Sequence, residues 1–130
     1  MASLAGTGTC GNWKVDIDHE DEASCDWSID IQSSSCAMQS MVERLTTLKE
    51  VIAMIRAVDS EGVSIDLYRT SELISSIRIT GGRLILQIRT VQVNGKNNYP
   101  WRLEHAIDSK EAINLAAALE EALLEAVTLD

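Results

Sequence analysis

Apolar residues recur along the chain at two spacings, and these spacings predict the elements. Residues 12–19 place Trp13, Val15 and Ile17 on one side and Lys14, Asp16 and Asp18 on the other. Residues 26–32 repeat the pattern, with Trp27, Ile29 and Ile31 against Ser28, Asp30 and Gln32. A period of two over this length belongs to a half-buried strand. The connector from His19 to Cys25 is short and polar, so the two strands are expected to form a hairpin. Ser33, Ser34 and Ser35 then offer hydroxyls for a helix N-cap. Met38, Met41, Leu45, Leu48, Ile52 and Ile55 step by three and four, which predicts a helix lasting to about Val58. Cys36, Val42, Val51 and Met54 widen its apolar stripe, and Gly62 is the expected terminator.

The second half returns to period two. Val63, Ile65 and Leu67 point inward, with Ser64, Asp66 and Tyr68 outward. Ile77 and Ile79 oppose Ser76, Arg78 and Thr80 on the next strand. Gly81-Gly82 is a hairpin signal, because both residues can take φ > 0. Leu84, Leu86 and Ile88 face inward against Arg83, Gln87 and Arg89, while Ile85 breaks the rule. A last strand carries Trp101, Leu103 and His105 on the core side and Arg102 and Glu104 on the other; Pro100 belongs at its start or at an edge. Asp108-Ser-Lys-Glu111 reads as a capping box opening an Ala-rich helix from Ser109 to about Val127.

These elements give an α+β fold: a single antiparallel sheet of about six strands, ββα-ββββα, with two helices packed on one face. Residues 1–11, rich in Gly, Thr and Ser, are expected to form a flexible tail ahead of one domain over 12–130. The stretches beginning at Trp13, Trp27 and Trp101 echo one another, and the last two would align Ser35 with Ser109 and Leu45 with Leu119. Amphipathic patterning accounts for the echo without duplication. Six strands span about 30 Å and two helices cover about 20 Å. Apolar sheet is therefore left over, which predicts a homodimer unless the sheet coils strongly.

A length of 130 residues with 45% apolar and 24% charged residues suits one ordinary globular domain. No apolar run is long enough to span a membrane. Cys10, Cys25 and Cys36 are an odd set without CxxC spacing, and the first residues lack a basic and apolar leader. Three reduced thiols in a cytoplasm are the expectation. The net charge of −9 opposes general nucleic-acid binding. That charge is uneven: the chain is acidic up to Cys36, basic from 51 to 102, and acidic again afterwards.

Candidate chemistry is sparse. Asp16, Asp18, His19, Glu20, Asp21 and Glu22 suggest a cation site, but the Gly and terminal Glu of a calcium loop are missing, and a solvated hairpin tip explains the run. His19 and His105 have no Cys or His at ligand spacing, so no metal is expected, and His105 reads as a structural core residue. There is no GxSxG, and Gly6-Thr7-Gly8 and Gly81-Gly82 are too short to cradle phosphate, which argues against an enzyme and against a cofactor. Cys36 would have a lowered pKa at a helix N-terminus, although its place on the apolar stripe favours burial. The expected function is a non-enzymatic protein-binding domain: an adaptor, chaperone or inhibitor, with a composition like that of small phage-type inhibitors of host defence. Its binding residues would be Asp16, Asp18, Glu20, Asp21, Glu22 and Asp30. The alternative is an anion-binding module for nucleotide or single-stranded nucleic acid, using Arg78, Arg83, Arg89 and Arg102. Single-strand binders need stacking aromatics, and only Tyr68 has outward parity, so nucleic acid is not favoured.

Overall fold

Strand pairing divides the chain into two antiparallel sheets, each made of four consecutive strands. The computed structural model describes residues 4–19, 27–34, 36–57, 61–91 and 102–128. The first sheet comprises β1 (Leu4–Cys10), β2 (Trp13–His19), β3 (Trp27–Gln32) and β4 (Ala37–Val42), followed by α1 (Leu45–Arg56). The second comprises β5 (Ser64–Arg69), β6 (Leu73–Thr80), β7 (Arg83–Thr90) and β8 (Arg102–Ile107), followed by α2 (Ser109–Thr128). The α+β antiparallel class expected from the sequence holds. The single six-stranded sheet does not, and two segments account for the difference.

The first is Leu4–Cys10, which pairs along its whole length with β2 instead of fraying. Its glycines are the reason. Ala5, Thr7 and Thr9 alternate with Gly6 and Gly8, and the glycines lie beneath α2. A Cβ on Gly6 would stand 2.0 Å from the Ala122 carbonyl oxygen, and one on Gly8 would stand 1.9 Å from that of Ala118. Ala118, Ala122 and Ala126 form a ridge of small, buried residues at i, i+4 spacing. Strand and helix backbones therefore meet with almost no side chain between them. A composition that reads as a loose tail builds a packing surface.

The second segment is Ala37–Val42, expected as helix and found as strand, paired with β3 throughout. The Ser33 N–H donates to the Cys36 carbonyl at 2.7 Å, so the serine-rich segment closes the β3–β4 turn rather than capping a helix; Ser35 lies outside the described residues. Met38 and Val42 are buried, and Gln39 on the other side is exposed, as period two requires. The three-residue step from Met38 to Met41 imitates a helix, and the unpaired edge of β3 overrides it. α1 starts only at Leu45, with Arg44 at its N-cap making no side-chain cap bond. It ends at Arg56, whose guanidinium pairs with Glu120 of α2.

The helices do not share one face of one sheet. α2 lies mainly on β1 and β2, the sheet built by the other half of the chain, while α1 packs against α2 and reaches β5. Val15, Ile17, Ile29, Ile31, Leu115 and Leu119 are fully buried where α2 meets the first sheet. Each such side chain contributes about 1.5–3 kcal/mol by leaving water. Ile77, Leu84 and Leu86 continue the same core into the second sheet. Each sheet is four strands wide, about 20 Å, so sheet width no longer predicts a dimer.

Other expectations hold. The Gly81-Gly82 turn joins β6 to β7 with φ of 60° and 74°. Asp108 Oδ1 accepts the Glu111 N–H at 2.9 Å, capping α2. The Glu111 carboxylate takes a different partner, accepting the Trp13 indole N–H at 3.1 Å and fastening α2 to β2. Trp13 is buried and Trp27 half-buried; Trp101 lies outside the described residues. Both halves run ββββα, but the echo from Trp27 to Trp101 is one strand out of step, since it aligns β3 with the segment leading into β8.

Candidate functional site

In each sheet the side away from the helices carries one cross-strand row of like charge. On the first sheet Thr7, Asp16, Asp30 and Gln39 stand directly opposite one another across all four strands. Two carboxylates are thus cross-strand partners, an arrangement that destabilises a sheet unless something offsets it. Neutral donors do so here. The Thr7 hydroxyl donates to Asp16 at 2.7 Å. The Gln32 amide donates to both Asp30 oxygens at 3.1 Å, and the Gln39 amide reaches Asp30 at 3.4 Å. Lys14 approaches Asp16 at 3.9 Å. Asp18 sits one row along, opposite Ala5 and Ser28, with Oδ1 buried and without a hydrogen-bond partner among the described residues. Of the expected acidic set the structure thus brings together Asp16, Asp18 and Asp30. Glu20, Asp21 and Glu22 lie outside the described residues.

On the second sheet the corresponding row is Arg69, Ile74, Arg89 and Arg102. Arg89 and Arg102 are direct cross-strand partners, and Arg69 flanks them beyond buried Ile74. Two carboxylates lie nearby. Asp66 pairs with Arg69 at 3.2 Å. Glu104 receives both Arg78 at 2.9 Å and Arg102 at 3.1 Å. No ion pair is formed by Arg89 among the described residues. The four arginines named from the sequence therefore separate. Arg89 and Arg102 meet, Arg78 is held by Glu104, and Arg83 stands at the far end of β7, opposite Thr80. Six residues of extended strand put Arg83 about 20 Å from Arg89.

Arg69 was not among the arginines expected to act. A β-bulge between Asp66 and Tyr68 shifts the register, setting Arg69 opposite Ile74 and Tyr68 opposite Ser75. Strict alternation places Tyr68 outward. The bulge turns it toward the hollow between the sheets, where it joins Ser75, Met41 and Leu73. No signal at residues 64–69 marks the extra residue. The bulge also removes the one aromatic expected beside the arginines.

The groups with nucleophilic or ligating chemistry lie elsewhere. The His19 ring packs on Trp27, with centroids 4.8 Å apart. His105 is half-buried and lines a hollow with Cys36, Met38, Leu86 and Leu103. Cys36 lies in the β3–β4 turn rather than at a helix N-terminus, and burial pushes its thiol above the ordinary range. That is the reverse of the shift an activated nucleophile needs. Cys10 and Cys36 are free thiols. Among the described residues no three His, Cys, Asp or Glu side chains converge as a metal-binding group, and no helix is long and apolar enough to cross a membrane. The chain matches no family model and no curated protein.

Proposed function

We propose that the chain is a protein-binding domain, acting without catalysis as an adaptor, chaperone or inhibitor and working as a homodimer. The observation that carries this reading is the Asp16–Asp30 pair, two carboxylates side by side on an open sheet face, held by neutral donors with one lysine, Lys14, near Asp16. Such a surface favours a basic patch on a partner, and its charge speeds and orients the encounter more than it deepens the final affinity. Free thiols at Cys10 and Cys36 fit a reducing, cytoplasmic setting. The test is affinity capture with the wild-type chain beside Asp16→Asn/Asp30→Asn and Arg89→Ser. A discrete partner lost with the aspartate variant and kept with the arginine variant supports the reading. Recovery of no partner, or of one indifferent to both aspartates, refutes it.

The arginine row favours a second reading, an anion-binding face. Two guanidiniums on directly opposed residues can grip one phosphate or carboxylate from both sides. With Tyr68 turned away, the row offers no ring for a base to stack on, which weighs toward a simple anion and against single-stranded nucleic acid. Charge reversal at Arg89 should abolish salt-sensitive binding of such an anion if this reading holds.

A further inference from the structure

We infer that the two subunits of the proposed homodimer join through the free edges of β8, which would extend two four-stranded sheets into one. The inference rests on the homodimer reading and supplies its surface. β8 ends the second sheet, so one side of its backbone has no strand beside it among the described residues. An edge of this kind is a template for another strand. It also carries Leu103, which at 65% exposure is the barest large apolar side chain among the described residues.

The sequence on this edge is self-complementary in one way. When two β8 strands pair antiparallel with their core faces on the same side, the residue on the two-fold axis fixes every opposition. An axis at Arg102 sets two guanidiniums against each other, and an axis at Glu104 sets two carboxylates together. An axis at His105 offers Glu104 only Ala106, and Arg102 meets a carboxylate only at Asp108, which lies beyond β8 and caps α2. An axis at Leu103 places Arg102 opposite the second copy's Glu104, and Glu104 opposite its Arg102. The two Leu103 side chains then meet beside the apolar hollow formed with Met38, Leu86 and Ile88. This register also adds carboxylate beside Arg89, the one arginine of the row without an ion pair among the described residues. The row Arg69, Ile74, Arg89, Arg102 would continue onto a carboxylate from the second copy, at the end where Arg89 and Arg102 oppose each other and one carboxylate, Glu104, already serves both Arg78 and Arg102.

The experiment measures molar mass by light scattering and sedimentation over a wide concentration series. Wild type, Leu103→Lys, Arg102→Glu, and the double exchange Arg102→Glu/Glu104→Arg are compared, each checked for folding by its thermal transition. The wild-type chain should approach twice 14.3 kDa as concentration rises. Leu103→Lys should remain at one chain. Arg102→Glu places two carboxylates in each contact and should raise the dimer dissociation constant by about tenfold or more. The double exchange restores opposite charges in the same register and should recover most of that loss. A wild-type chain of single mass at every concentration overturns both the inference and the homodimer reading. A dimer unaffected by Leu103→Lys and Arg102→Glu overturns the edge alone and leaves the homodimer reading in place.

Discussion

Replacing Gly8 by alanine tests the contact on which the first sheet depends. Gly8 has no positive φ, so the backbone accepts alanine, and in a loose segment the change would stabilise by about 0.4–1 kcal/mol through the unfolded chain. Here the new methyl would begin 1.9 Å from the Ala118 carbonyl oxygen and 2.7 Å from the Ala122 nitrogen. Both atoms belong to helix backbone, so no side chain can swing aside; strand and helix must part by roughly 1.5 Å to reach ordinary contact. Overpacking of this kind costs about 1–3 kcal/mol, and the rigid partner puts Gly8 at the upper end. Net of the unfolded-state gain, about 2 kcal/mol should be lost. That lowers the midpoint of thermal unfolding by roughly 6–10 °C in a chain of this size. Urea denaturation followed by far-ultraviolet circular dichroism measures it, with exposed Thr9→Ala as the neutral control. Because the clash is with main chain, Ala118→Gly should not rescue it. A neutral or stabilising Gly8→Ala would show that β1 does not lie beneath α2.

Three further outcomes are expected. Glu111→Leu leaves the buried Trp13 indole N–H without an acceptor and should cost about 1–3 kcal/mol in urea melts, with a shift in tryptophan emission, whereas Glu111→Gln should keep most of the stability. Arg89→Ser removes a like-charge cross-strand pair and should leave the isolated chain unchanged or up to about 0.5 kcal/mol more stable at low salt, with the gain fading as salt screens the pair. In a variant retaining only Cys36, alkylation should be slower than that of a free thiol and should accelerate at higher pH. A thiol pKa raised by folding means the folded form holds its proton longer, so this group's share of stability is full below the ordinary thiol pKa and falls as pH climbs past it; a rate matching free cysteine would refute the burial.

Most of the strands were legible because each shows its own parity. β2, β3, β6 and β7 could be read from alternation alone, and Gly81-Gly82 and Asp108 marked their turn and cap through local chemistry. Three features depended on partners that a local window does not contain. Gly6 and Gly8 have no apolar pattern, and their role exists only because Ala118 and Ala122 lie above them. Met38, Met41 and Leu45 satisfy a helical spacing by coincidence, and the choice was made by β3. The bulge beside Leu67 reversed Tyr68 and recruited Arg69, which no alternation rule foresees. Of the candidate sites, Asp16 with Asp30 and Arg89 with Arg102 had the right outward parity. Their direct opposition became visible only once register was fixed.

The crossing of α2 onto the first sheet has a consequence for the order in which the protein can become itself. Cys10 and Asn114 touch at 3.6 Å although 104 residues separate them. During synthesis the four leading strands must wait, their oily side bare, until the final helix has been made. Contacts this distant along the chain slow folding, and they leave a period in which a nascent chain is open to aggregation or to a chaperone. Neither half completes its own interior; each is finished by what the other half supplies.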